Sequence, residues 1–163
     1  MKKVIYAGSF DPIHLGHIDI IERAISLFPS RKVTVIIANN RSKKHSFNIE
    51  DRMSIVQSAL SHLKGKVDII SFEGIISDYA NHNDADVMIR GIRNGTDLDY
   101  EFNLEQFTRK TSKMETSYLT PNNEHINTSS SLIRMFLDTD NLKQAKQFMN
   151  KKSFNKMKEI LKG

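Results

Sequence analysis

The sequence predicts an α/β fold: one doubly wound parallel sheet covered by helices, with further helices at the C-terminus. Three observations carry that expectation. Short β-rich runs alternate with helical patterns along all 163 residues. The strand candidates are continuous apolar runs, such as Val33-Thr34-Val35-Ile36-Ile37-Ala38, as strands buried on both faces require. A glycine-bearing loop joins the first strand directly to the first helix, which is where a parallel sheet opens a ligand site.

Taken in order, the first strand is expected over 4–7 and the first helix near 18–27, where Ile18, Ile21 and Ile25 recur at helical spacing. Strands follow over 33–38, 67–72, 87–89 and 117–119. Helices fall between them near 49–63, 75–83 and 97–110, with two more after Ser129. Asn48 suits the cap of the second helix, and Glu50 and Asp51 complement the dipole in its first turn. Alternation of this kind implies right-handed crossovers and a Rossmann-like sheet. Ligands bind such sheets beyond the carboxyl ends of the strands. The loops at 7–12, 39–45, 74–76, 90–99 and before Ser129 are therefore expected to converge on one rim. With no repeat, low-complexity tract or linker, residues 1–163 read as one domain.

Composition narrows the class. Hydrophobic residues make up 39% and charged residues 26%, as in a soluble globular chain. No apolar run approaches the roughly 20 residues that span a bilayer, and no signal-peptide pattern is present, so a cytoplasmic protein without a membrane role is expected. Absence of cysteine excludes disulfides and thiolate metal sites. The net charge of +5 owes much to lysines in the tail, among them Lys143, Lys151, Lys156 and Lys162. No aromatics interleave with them as a base-stacking platform would need, so they read as a solvated helix face and no nucleic-acid partner is expected.

The most informative segment is Gly8-Ser9-Phe10-Asp11-Pro12-Ile13-His14-Leu15-Gly16-His17. A helix start offers unpaired N–H groups and partial positive charge to a phosphate. Glycine admits close approach, and two imidazoles add donors that can follow charge growing on a phosphoryl oxygen. The G-x-G-x-x-G fingerprint and the Walker A loop are both absent. Two histidines at this spacing also suit a metal ion, but no neighbouring carboxylate or third histidine completes a set.

This motif resembles that of the nucleotidyltransferase superfamily, which includes class I aminoacyl-tRNA synthetases. Ile89-Arg90-Gly91-Ile92-Arg93 followed by Asp97-Leu98-Asp99-Tyr100-Glu101 is similar to the matching segment of bacterial phosphopantetheine adenylyltransferases. Ser42-Lys43-Lys44, Met114-Glu115-Thr116-Ser117-Tyr118-Leu119 and Thr128-Ser129-Ser130-Ser131-Leu132-Ile133-Arg134 fit that family in the same order. The resemblance implies adenylyl transfer from ATP to 4′-phosphopantetheine, giving dephospho-coenzyme A and pyrophosphate. It also implies magnesium held mostly through phosphate oxygens and water, and a homo-oligomer, a hexamer.

Such a transfer needs no enzyme nucleophile, because the acceptor's phosphate attacks the α-phosphorus. On the resemblance, His17, Lys43 and Arg93 are the catalytic residues. His17 meets the α- and β-phosphate oxygens, Lys43 the incoming phosphate, and Arg93 the β- or γ-phosphates. Ser9, Phe10, His14, Gly91, Glu101, Thr128, Ser129, Ser130 and Arg134 complete the ATP site. Ser9 and Lys43 serve the acceptor with Arg90, which holds its phosphate, and with Gly74, Ile75 and Ile76 along the pantetheine arm. Asp97, Asp99 and Glu101 are also available to pair with the two arginines structurally. The chain departs from the family spelling at Asn94-Gly95-Thr96, Leu98, Thr108, Asn127-Thr128 and Met135-Phe136.

Two other readings compete. Nicotinate mononucleotide adenylyltransferases share the first motif and a Ser-Ser…Ile-Arg ending, but not the Arg90–Glu101 pattern. A non-catalytic nucleotide-binding module would have no chemical reason to carry His17, Lys43, Arg90 and Arg93 together.

Overall fold

A computed structural model describes residues 3–163. Five strands form one wholly parallel sheet: β1 Lys3–Gly8, β2 Val33–Ala38, β3 Val67–Phe72, β4 Ala85–Gly91 and β5 Glu115–Leu119. Their order across the sheet is β3-β2-β1-β4-β5. The chain winds outward from β1 to β3, then crosses back to place β4 on the other side of β1. The crevice between the ends of β1 and β4 is thus the switch point where doubly wound sheets take ligands.

Helices cover both faces: α1 Leu15–Leu27, α2 Ile49–Ala59, α3 Ile76–Asn83, α4 Gly95–Thr111, α5 Ser130–Asp138, α6 Leu142–Ala145 and α7 Lys151–Lys162. Strand alternation sorts the core. Val4 and Tyr6 of β1, with Val33, Val35 and Ile37 of β2, face α1, α2, α5 and α7 in the larger core. Ile5 and Ile36 face Ala80 of α3, Met88 and Met114 in the smaller one. Asn48 caps α2 as expected, its side chain accepting from the Asp51 N–H.

The differences from expectation lie at element ends. The last turn assigned to the second helix is a separate 3₁₀ turn, Ser61–Leu63. β4 and β5 run longer than 87–89 and 117–119 because their polar ends still pair in register, Arg90 against Tyr118 and Val87 against Glu115. Three helices rather than two follow Ser129, since Asp140 adopts φ 56° and breaks the path into the short α6. α4 departs most. Its buried residues are the polar Glu105 and Thr108, whereas Tyr100, Phe102 and Phe107 are exposed.

Candidate active site

The site begins with a reciprocal cap. His14 is the N-cap of α1, and its Nδ1 accepts the backbone N–H of His17 at 3.3 Å. His17, three residues on, returns the bond: its Nδ1 accepts the backbone N–H of His14 at 3.2 Å. The two rings stack with centroids 3.6 Å apart and planes 25° from parallel. Because both Nδ1 atoms are acceptors, each neutral ring carries its proton on Nε2. Burial, then the neighbouring Arg93, pushes the His17 pKa down to about 3. Burial, then His17, Arg93 and His125, holds His14 well below the ordinary imidazole value. Both rings therefore stay neutral near pH 7 and offer Nε2–H donors. With both Nδ1 atoms taken by backbone and Asp19 turned to Arg23 and Asn122, the pair is a donor set rather than the start of a metal site.

Gly16 lies between the histidines. A Cβ there would come within 3.0 Å of the His14 ring, so the stack requires glycine. Phe10 takes the left-handed φ of 46°, a strained conformation for a bulky residue, and is buried. Its ring meets His17 edge-on at 4.9 Å and Tyr6 at 5.6 Å, so it backs the His17 imidazole.

These rings form one wall of a cavity of about 350 Å³ at the switch point. Of the expected residues, His14, His17, Gly91, Arg93, Glu101, Thr128, Ser129 and Ser130 line it together. Tyr6, Ile20, Pro121 and His125 line it as well and were not anticipated. Pro121 and His125 lie on the stretch after β5, and the rule that loops follow the carboxyl ends of strands was the signal pointing there. Ser129 Oγ caps α5 by accepting from the Leu132 N–H, and Ser130 Oγ donates to the Pro12 carbonyl. Two helix starts, those of α1 and α5, thus open on the same space.

Two carboxylates one turn apart on α4, Asp97 and Glu101, line this cavity, and Glu105 follows one turn later. Asp97 takes the Arg93 side chain at 2.9 and 3.3 Å, and Arg93 also donates to the Thr128 carbonyl. Glu101 Oε2 lies 3.2 Å from Arg90 Nε but is buried without a hydrogen bond, leaving the arginine's donors for a ligand. Burial raises the Glu101 pKa and Asp97 adds to this, against the pull of Arg90. Glu105 accepts from Tyr118 Oη at 2.6 Å and from Arg109 Nε at 2.8 Å. Both arginine–carboxylate pairings weighed from sequence are thus present.

The remaining expected residues lie on the rim outside this cavity. The Ser9 carbonyl accepts from Arg52, and Lys43 is exposed on the loop after β2. Gly74, at φ 125°, and the exposed Ile75 lead into Ile76 at the start of α3. Arg134 Nη1 donates to the Asp11 carbonyl and Nη2 to Ser131 Oγ. Two buried charges tie the loops together. The Asp11 carboxylate accepts the N–H groups of Ser46 and Phe47. Arg52, fully buried, donates to the carbonyls of Ser9, Ala38 and Phe47 and to Asn39 Oδ1.

A nucleotide-sized cavity at the switch point, walled by two helix starts, neutral imidazole donors and an arginine, defines a nucleotidyltransferase site. The cytidylyltransferase-like family matches residues 5–136. Phosphopantetheine adenylyltransferases from three bacteria are similar over most of the chain. The one from Psychromonas ingrahamii is 42% identical over 75% of this chain and 74% of its own. That from Haemophilus ducreyi is 43% identical over 80% of each, and that from Nautilia profundicola 38% over 83% and 86%. The fold also resembles Thermotoga maritima TmcAL, determined with alpha-thio ATP, at a TM-score of 0.67 and 13% identity. That match covers 99% of this chain, which spans 56% of the TmcAL chain. The chain belongs to the phosphopantetheine adenylyltransferase family within the cytidylyltransferase-like group.

Proposed function

We propose that residues 1–163 act as one domain that transfers the adenylyl group of ATP to 4′-phosphopantetheine, releasing pyrophosphate and forming dephospho-coenzyme A. The observation that carries this reading is the His14–His17 cap, which presents a neutral Nε2–H donor in a cavity shared with Arg93 and the α5 start. The acceptor phosphate enters from the Ser9, Lys43 and Arg90 side and attacks the α-phosphorus in line. The P–O bond to the β-phosphate breaks, and pyrophosphate leaves with the bonding pair. As charge grows on the transferring phosphoryl oxygens, His17 Nε2–H holds them without giving up its proton. His14 and the N–H groups of the α1 start hold the triphosphate, and Arg93 and the α5 start take its far end. Phe10 supports His17. Gly91, Glu101 and Thr128 line the nucleoside side, and Arg134 stiffens the α5 start through Ser131. Lys43, a mobile point charge, follows the attacking oxygen. Gly74, Ile75 and Ile76 border the pantetheine arm.

Magnesium fits this donor set as an ion carried on phosphate oxygens and water. The cavity's carboxylates, Asp97 and Glu101, already face Arg93 and Arg90, and no metal-holding cluster of His, Asp and Glu occurs among the described residues. When bound it supplies neutralisation of the triphosphate charge. The apolar outer face of α4, with Tyr100, Phe102 and Phe107 exposed, supports assembly into a homo-oligomer, which we take to be a hexamer. We take the enzyme to be cytoplasmic; no described helix is long and apolar enough to cross a membrane. The relatives do not favour the nicotinate mononucleotide alternative.

The test is pyrophosphate release from ATP and magnesium with 4′-phosphopantetheine and nicotinate mononucleotide supplied separately. Release with 4′-phosphopantetheine alone is expected. Release with the mononucleotide alone would overturn the acceptor while keeping the phosphate site, and silence with both would overturn the enzyme reading.

A further inference from the structure

His45 is a mostly buried imidazole that the transfer chemistry above leaves unused. Its loop, residues 39–47, is pinned at both ends: Arg52 holds Ala38 and Asn39, and Asp11 holds the N–H groups of Ser46 and Phe47. Between the pins, residues 41–44 are exposed, and Lys43 stands two residues from His45. The ring lies against Asp11, with Nδ1 3.7 Å from Oδ2, too far for a hydrogen bond. Nε2 is buried with no hydrogen-bond partner. Such an orphan is costly unless some state of the protein uses it.

The charges around His45 come from every element that packs on it. Asp11 of the β1–α1 loop and the Asn40 carbonyl favour the charged ring, while Arg52 of α2 and Lys43 of its own loop oppose it. Arg134 of α5 adds positive charge beside Asp11 through the Asp11 carbonyl. With burial the largest cause, the balance holds the His45 pKa below its ordinary value. The carboxylate of Asp11 is offset by Arg52, so a protonated ring would add an unbalanced charge. A phosphate docked at Ser9 and Lys43 reverses that balance, because a dianion arrives on the same loop.

We propose that His45 is the proton-linked element of the acceptor site: its imidazole takes up one proton from solvent when the acceptor phosphate docks between Ser9 and Lys43. The charged ring carries a proton on both nitrogens, which draws Nδ1–H onto the Asp11 carboxylate and adds positive charge behind Lys43. His45 is thus a positioning residue that makes acceptor affinity fall as pH rises. The inference rests on the acceptor reading above.

The test is titration calorimetry of the whole protein with 4′-phosphopantetheine near pH 6.5, in buffers of different ionisation enthalpy. The wild-type protein should take up about half a proton more per site than His45→Gln. Equal proton counts in the two proteins would overturn this inference and leave the acceptor reading intact. Absence of binding heat would overturn both. Should His45→Gln unfold, the imidazole signal of His45 itself, followed by NMR in the wild-type protein, must move to higher pKa on adding 4′-phosphopantetheine. An unmoved signal refutes the proposal.

Discussion

Replacing His17 by asparagine and by glutamine separates the two ring nitrogens. Asparagine Oδ1 takes the place of Nδ1, so His17→Asn keeps an acceptor for the His14 N–H, now 3.2 Å away, and deletes the distal donor. Glutamine Nε2 takes the place of the imidazole Nε2, so His17→Gln keeps the donor and loses the cap. Loss of one preorganised donor to a developing oxyanion costs roughly 10²–10³ in kcat, about 2.7–4 kcal/mol. Loss of a cap costs about 0.5–2 kcal/mol. At 3.2 Å the bond is long, and the reciprocal bond to His14 remains, which puts the loss at the lower end. In a chain of this size that is a Tm fall of about 1–2 °C. His17→Asn should therefore melt near the wild-type temperature with kcat down at least a hundredfold and the KM for ATP little changed. His17→Gln should melt lower yet retain more activity. Pyrophosphate release and thermal unfolding read both. A His17→Asn enzyme with more than about a tenth of wild-type kcat would refute the role of the Nε2–H donor. So would equal losses of activity in the two variants.

Arg90→Ala should raise the KM for 4′-phosphopantetheine roughly 10–100-fold, the usual worth of a charged hydrogen bond, while the KM for ATP moves far less; steady-state kinetics with each substrate varied decides it. The ligand-free protein should lose stability in mild acid. His14 and His17 have folded pKa values below the unfolded 6.5, so their contribution is whole above pH 6.5 and falls away as pH drops toward 3. For His17 that amounts to about 2 kcal/mol by pH 5, and melting curves of His17→Asn should flatten with pH relative to wild type. Arg52→Met would strand three carbonyls and an amide oxygen and should cost about 3–5 kcal/mol, read by denaturant unfolding. Changing Phe102 and Phe107 together to serine should lower the mass seen by light scattering, and an unchanged mass would remove α4 from the subunit contact.

The strands were legible because burial on both faces leaves a largely apolar signature, which β2 carries; β3 keeps its expected bounds although Asp68 and Ser71 interrupt its apolar run at an edge of the sheet. Where a strand end is polar, as at Arg90 and Glu115, the signature stops before the hydrogen bonds do. The histidines were legible as donors at a helix start but not as caps, because a side chain that receives a neighbour's backbone N–H leaves no mark of its own in the sequence. Arg52 reads as an ordinary surface arginine of a helix. Its complete burial follows from three carbonyls that only the folded loops bring together. The orientation of α4 was hidden for a related reason, since its inward face is chosen by carboxylates meeting arginines and a tyrosine, while its aromatics point outward.

The carboxylates of α4 also bear on turnover. In the proposed reaction Arg93 would meet the triphosphate and Arg90 the acceptor phosphate, and each already faces a carboxylate, Asp97 and Glu101. Binding would then be an exchange of anions on fixed cations, as on an ion-exchange resin, and not the filling of a bare positive pocket. Such a rim responds to added salt less steeply than its number of arginines suggests. On that reading it would also work in reverse: once the chain of phosphates is cut, Asp97 reclaims the Arg93 guanidinium and helps to expel the pyrophosphate.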